Sequence, residues 1–158
     1  MTDARFEDGA ETALTLLAQT PEDLPVISAL LQDAVLPASE IRWDRTARKL
    51  ALLVNRFRWE DREAAEREGR PYERVRSLLV IGDVQRVVSQ GIVRGDADTV
   101  LSILSLDWLP AEDGTGRLVL VLAGDGAIAA EVECLDLTLR DVTRPYIAPS
   151  RKVPGHPE

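Results

Sequence analysis

Apolar residues in this chain follow two spacings, and the change from one to the other predicts most of its elements. Ala13 to Ala18 is a short apolar run of strand length. Thr20-Pro21-Glu22-Asp23 follows it with a capping hydroxyl, a proline for the first helical position and acids for the first turn. Leu24, Ile27, Leu31 and Ala34 then recur at helical spacing, which predicts a helix from Pro21 to about Ala34 with one face on the core; Pro37 ends any continuation.

From there the repeat shortens to two residues. Ser39 to Trp43, the polar turn Asp44 to Ala47 and Arg48 to Phe57 predict a hairpin, with Leu50, Leu52 and Val54 on one face and Leu53 and Phe57 on the other. Apolar residues on both faces imply a strand covered on both sides, or one lying where a sheet curls over itself. Trp59 to Pro71 interrupts the pattern. Glu60 to Glu68 is rich in helix formers but has no continuous apolar stripe, so a solvated helical excursion or a mobile loop is expected. Arg74 to Ile81, Val84 to Gln90 and Thr99 to Trp108 read as three strands, separated by a tight turn at Gly82-Asp83 and by Gly95-Asp96-Ala97-Asp98. Arg117 to Ala123 and Ala127 to Glu133 flank Gly124-Asp125-Gly126, whose glycines supply the positive φ of a short hairpin turn. The last segment, Glu133 to about Thr143, fits two patterns: Leu135, Leu139 and Val142 suit a closing helix, while Leu135, Leu137 and Leu139 suit a strand. Arg144-Pro145 stops it in either case.

Runs of neighbouring strands with short connections imply antiparallel pairing rather than alternating βαβ units. The expected class is α+β: an antiparallel meander or curved roll of about seven strands with an N-terminal helix, and a C-terminal helix if the last segment takes that form. By element order such a roll is similar to pleckstrin-homology-like folds. A single domain is expected over residues 13–143, with 1–12 and 148–158 as loose termini, because nothing in those ends can dock on a core.

Four phrases carry a resemblance: Pro21-Glu22-Asp23-Leu24-Pro25-Val26-Ile27-Ser28, Leu53-Val54-Asn55-Arg56-Phe57-Arg58-Trp59-Glu60, Ser89-Gln90-Gly91-Ile92-Val93-Arg94-Gly95-Asp96 and Val132-Glu133-Cys134-Leu135. In this order they resemble an uncharacterised alphaproteobacterial family of small acidic proteins, a domain of unknown function (family 2948). The likeness spans roughly Ala13 to Val142. It implies a bacterial cytoplasmic protein and lends no activity, cofactor or catalytic residue.

Composition narrows the function classes. With 158 residues, 45% of them hydrophobic, the chain can bury one core. A net charge of -8 disfavours nucleic acid and anionic membrane as partners, since both are bound through basic patches. The charge is unevenly spread: residues 56 to 76 hold seven arginines against six acids, and the rest holds 12 basic and 21 acidic residues. One cysteine excludes an intramolecular disulfide and a cysteine-based zinc site. The N-terminus lacks the basic and apolar regions of a signal peptide, and no apolar run is long enough to span a membrane, so a cytoplasmic address is expected.

Catalytic equipment is sparse. His156 is the only histidine and lies in a Pro-Gly-His-Pro tail, which removes histidine triads and histidine metal motifs. Cys134, between Val132 and Leu135, reads as a packed thiol, with Arg140 the one nearby positive group that could activate it. Asp96 and Asp98, completed by Asp107 or Asp113, could hold a divalent ion, but glycine with aspartate is ordinary turn chemistry. Phosphate-cradling glycine patterns and the Gly-x-Ser-x-Gly elbow are absent, so no cofactor is expected. Trp43 and Trp108 fall in strands and read as packing residues.

What remains is Asn55, Arg56, Arg58, Arg74 and Arg76, with Phe57, Trp59 and Tyr72 among them. If their strands pair, several guanidinium groups share one face with aromatic rings, a composition suited to a carboxylate or phosphate; the plainer reading is a solvated face paired with Glu60, Asp61 and Glu73. The leading expectation is therefore a non-enzymatic binding or protein-interaction module for an acidic partner or small anion. The alternative is a small enzyme with an arginine and carboxylate cleft acting on an anionic metabolite, with Asp96 or Glu133 as base. A third is a homo-oligomer assembled through an apolar sheet edge.

Overall fold

The computed structural model describes residues 13–92, 97–150 and 152–155. Strand β1 (Thr15–Ala18) leads through a 3-10 turn (Pro21–Asp23) into helix α1 (Leu24–Leu31). The Thr20 hydroxyl donates to the Asp23 carboxylate (3.0 Å), and the Asp23 amide donates back to the Thr20 carbonyl (3.1 Å), closing this entry turn. Leu24, Ile27, Leu30 and Leu31 form the buried face of α1.

The helix stops short of Ala34 because Asp33 takes a left-handed conformation (φ 62°), which an α-helix cannot continue. The Asp33 amide donates to the Ile103 carbonyl and the Ile103 amide donates to the Ala34 carbonyl, both at 2.8 Å, so the chain leaves the helix by joining a sheet. Pro37, expected as the helix stop, instead ends strand β2 (Val35–Pro37).

The remaining strands are β3 (Ile41–Asp44), β4 (Lys49–Phe57), β5 (Glu73–Ile81), β6 (Val84–Gln90), β7 (Val100–Pro110), β8 (Gly116–Leu122), β9 (Gly126–Val132), β10 (Leu137–Asp141) and β11 (Tyr146–Ile147). Between β4 and β5 a 3-10 turn (Trp59–Asp61) and the short helix α2 (Arg62–Glu68) form the expected helical excursion, ended by Gly69 in the left-handed conformation. All pairings are antiparallel, and the class is α+β with an open curved sheet in the order β1-β10-β5-β4-β2-β7-β8-β9-β6. Strands β3 and β11 pair alongside β4 and β5. No helix among the described residues is long and apolar enough to cross a membrane.

Register builds the core row by row. Leu50, Ile81 and Leu137 lie side by side across β4, β5 and β10, and Leu52, Leu79 and Leu139 form the next row. All six are buried. Leu118, Leu120 and Leu122 of β8 face inward with Ile128, Ala130 and Val132 of β9 from the other half of the sheet, and α1 packs on the shared core. A bulge in β7 between Ile103 and Ser105 leaves the Leu106 amide free to donate to the Ser28 hydroxyl of α1 (3.0 Å), which pins the helix to the sheet.

Two expectations change. The segment with two readings is strand β10, because Leu137 and Leu139 complete rows begun by β4 and β5; the closing C-terminal helix is not formed. The Gly82-Asp83 turn does not join neighbouring strands. With Asp83 at φ 54°, it carries the chain from β5 to β6, which pairs with β9 at the far side of the sheet. The Val84 amide donates to the Arg48 carbonyl (2.9 Å), so the sheet's far edge begins beside the start of β4.

Gly116 faces Trp108, whose ring occupies the space a side chain would take. A Cβ there would sit 2.6 Å from Trp108 Cζ2 and 2.8 Å from the Leu109 carbonyl oxygen. Replacing Gly116 by alanine is expected to lower the unfolding free energy by about 1–3 kcal/mol, the usual cost of overfilling a packed site. Urea denaturation measures this, and an unchanged midpoint would show that ring and strand move aside without loss.

Candidate functional site

The β4–β5 register separates the five candidate residues. Arg56 continues the inward series Leu50, Leu52, Val54 and is opposite Val75, whereas Asn55 is opposite Arg76 and Phe57 opposite Arg74 on the outer face. Arg56 is therefore fully buried at the end of the leucine rows.

Its five N–H groups are all used. Nε donates to Ser77 Oγ (2.9 Å), Nη1 to Glu60 Oε1 (2.9 Å) and the Phe57 carbonyl (3.4 Å), and Nη2 to Glu60 Oε2 (2.8 Å) and Asp141 Oδ1 (2.9 Å). Asp141 Oδ1 also accepts from the Ser77 hydroxyl (2.7 Å), and Oδ2 accepts from the Leu14 amide (3.0 Å). Burial opposes the charge on Arg56, but the hydrogen bonds and charges of Glu60 and Asp141 outweigh it and hold the pKa above the ordinary arginine value. No N–H of Arg56 is left for an outside anion.

Arg58, just beyond the strand, is engaged by Glu73, with Glu60 and Asp61 at 3.9 and 3.8 Å. Arg62 pairs with Glu66 (3.0 Å), and Arg70 with Asp61 (3.1 Å) and Glu68 (2.6 Å). The electropositive stretch read from composition is thus largely neutralised by its own acids. The plainer reading of a paired face holds for this part, with Arg56 going inward rather than to solvent.

Arg74 and Arg76 are different. They stand two residues apart on the outer face of β5, and no described carboxylate makes an ion pair with either. Arg74 donates through Nε to Asn55 Oδ1 (2.6 Å) and through Nη2 to the Asn55 carbonyl (2.9 Å). The Asn55 amide in turn donates to the Tyr146 hydroxyl. Burial lowers the pKa of Arg74, with Tyr146 and Asp33 working in the opposite direction. Phe57 packs beside this corner against Trp59 (ring centroids 4.7 Å apart) and Tyr72 (5.5 Å). Arg76 reaches solvent.

Beside Arg76 the sheet opens. Strand β2 pairs with β4 only at Val35–Asn55, and β3 takes over at Ile41–Leu52, so Leu53 and Val54 border a break in the ladder. The break is a cleft of about 240 Å³ with Val35, Pro37, Leu53 and Val100 among its apolar walls. Its polar lining is Asn55, Arg76 and Glu40. The cleft was not legible in the sequence, because it arises from β2 and β3 sharing one side of β4.

The other candidates separate from this corner. Cys134 is exposed rather than packed; its thiol donates to Asp83 Oδ2 (3.1 Å). That bond, then burial, then the charges of Asp83, Asp136 and Glu133 raise its pKa. Glu133 is held by Arg48 (2.9 Å) and Gln85 (3.0 Å), which lower its pKa, opposite to the direction a general base requires. Asp98, Asp107 and Asp113 join no group of three or more metal-type ligands among the described residues. Asp96 and His156 lie outside the described residues. Trp43 and Trp108 pack against the core as expected.

The model of the family described as a protein of unknown function (DUF2948) matches residues 14–156, and the chain belongs to that family. No match was found among curated proteins or among solved structures.

Replacing Arg56 by alanine would leave Asp141 buried without its cation and is expected to destabilise the fold by about 3–5 kcal/mol, as measured by urea denaturation. A loss below about 1 kcal/mol would place Arg56 among ordinary surface ion pairs. At neutral pH, Cys134 should react with a thiol-alkylating reagent more slowly than an unstructured thiol. Asp83→Asn should speed the reaction several-fold by releasing the thiolate; an unchanged rate would mean that Asp83 does not hold the proton.

Proposed function

We propose that this member of the family is a non-enzymatic binding module that engages an acidic partner or small anion at the corner formed by Asn55, Arg74 and Arg76. One observation carries the reading: Arg76 reaches solvent beside an open cleft with no described carboxylate in ion-pair distance, and Arg74 next to it is held by Asn55 with the longer-range charge of Asp33 acting on it, while their neighbours Arg56, Arg58, Arg62 and Arg70 are each paired. A guanidinium presents a planar fork of donors that matches a carboxylate or phosphate. Arg74 is already held by Asn55, so less side-chain freedom is lost when an anion docks. The Asn55 side-chain amide also donates to the Tyr146 hydroxyl, and Phe57 lies opposite Arg74 in the register.

The binding reading is favoured over the enzyme reading by the state of Glu133, the candidate base within the described residues. Glu133 is committed to Arg48 and Gln85, and its lowered pKa makes it a weak base. Arg56 and Arg58, part of the face expected from the sequence, are instead engaged by Glu60 and Asp141 and by Glu73.

A short oligoglutamate peptide and inorganic phosphate, titrated separately at low ionic strength by calorimetry, test the proposal. Arg76→Ala is expected to weaken binding about tenfold, the size of one lost charge-assisted hydrogen-bonding group. Its urea midpoint should stay close to wild type, as for other surface replacements within about 0.5 kcal/mol. Equal affinity of wild type and variant for both probes would reject the corner as the binding site.

A further inference from the structure

The cleft beside Arg76 has charge of both signs. Along β4 it runs from Asn55, where β2 leaves, to Leu53, next to the point where β3 takes over. Two strand residues span about 7 Å. Asn55 and Arg76 mark the first end. Glu40, in the 3-10 turn Ala38–Glu40 just before Ile41, marks the second. Like Arg76, Glu40 makes no ion pair among the described residues. The wall between them is apolar, with Val35, Leu53 and the exposed Val100 contributing. At about 240 Å³ the space is smaller than the roughly 300–1,000 Å³ of drug-sized ligand sites.

We infer that this cleft takes a small zwitterion whose carboxylate and ammonium are separated by a short aliphatic chain. Its carboxylate meets Arg76 and Asn55, its methylene groups lie on Val35, Leu53 and Val100, and its ammonium meets Glu40. The inference rests on the anion-binding reading of the corner and adds the substrate class. Charge complementarity selects the two ends, and the strand spacing selects the length. An α-amino acid, whose charges sit on adjacent carbons, is too short to reach both ends. A simple fatty acid reaches both ends but brings no cation to Glu40. The Glu40 carboxylate also sets a sign rule, because it repels a dicarboxylate of the same length.

The test is a calorimetric or NMR titration of the full chain with glycine, 6-aminohexanoate, hexanoate and adipate, repeated with Glu40→Gln and Arg76→Gln. The wild type is expected to bind 6-aminohexanoate about tenfold more tightly than hexanoate, and hexanoate more tightly than adipate, since each step removes or reverses one charge contact worth about a factor of ten. Glycine should bind more weakly than 6-aminohexanoate. Glu40→Gln should erase the preference for 6-aminohexanoate over hexanoate while keeping hexanoate binding, and Arg76→Gln should weaken both. Hexanoate binding as tightly as 6-aminohexanoate in an Arg76-dependent manner would overturn the zwitterion assignment and leave the anion site standing. Binding of neither, or binding indifferent to Arg76, would overturn both. Chemical-shift changes confined to Val35, Glu40, Leu53, Asn55 and Arg76 are the expected footprint, and changes elsewhere alone would count against the cleft.

Discussion

A guanidinium taken completely out of water must be met on every side, and Arg56 is met by groups from three separate parts of the chain. Glu60 comes from the turn after β4, Ser77 from β5, and Asp141 from the end of β10. Asp141 passes the constraint on to β1: its carboxylate accepts from the Leu14 amide, and its own amide donates to the Leu14 carbonyl (2.8 Å). The leucine rows of β4, β5 and β10 repeat every second residue, so a slip of two residues would still set apolar side chains beside one another. The polar row allows no slip. Val54, Ser77 and Asp141 lie side by side in one register, and a shift by one residue would leave a buried charge without its partners.

That same register decides which side chains reach the outer face of the sheet. Because Arg56 belongs to the inner parity of β4, its outer neighbours are Asn55 and Phe57, and across β5 these meet Arg76 and Arg74. The inward arginine is consumed by structure; of the outward two, Arg74 is held by Asn55 and Arg76 reaches solvent. The acids that composition sets against the arginines are consumed too, mostly around α2, where Asp61, Glu66 and Glu68 hold Arg70 and Arg62. A local net charge therefore says little about local binding capacity until the pairs have been removed.

The cleft depends on a different feature, the division of one side of β4 between two short strands. Strand β2 is committed to β7 for its three residues and touches β4 at one, so it bridges the two halves of the sheet rather than completing either. The gap it leaves is bounded by the strands that share it and by the turn that joins β2 to β3. Glu40 is placed at its far end by the tight turn that lets the chain pass from β2 to β3.

Much of this was legible in the residues themselves. The alternation of Leu50, Leu52 and Val54, the hairpin at Gly124-Asp125-Gly126 and the start of α1 at Thr20-Pro21 rest on sterics and hydrogen bonds within a few residues, so the chain settles them locally. Even the inward course of Arg56 follows from continuing the count after Val54. What tertiary structure alone decided are the choices between distant partners. β6 pairs with β9 rather than β5, the segment around Leu137 becomes a strand by completing rows set elsewhere, and Arg56 finds Asp141 across 85 positions. Leu135 to Val142 fits helix and strand equally until a neighbouring strand edge offers hydrogen bonds and a matching apolar row. Which arginines stay free depends on which acids the fold brings to the others, and no local spacing encodes that.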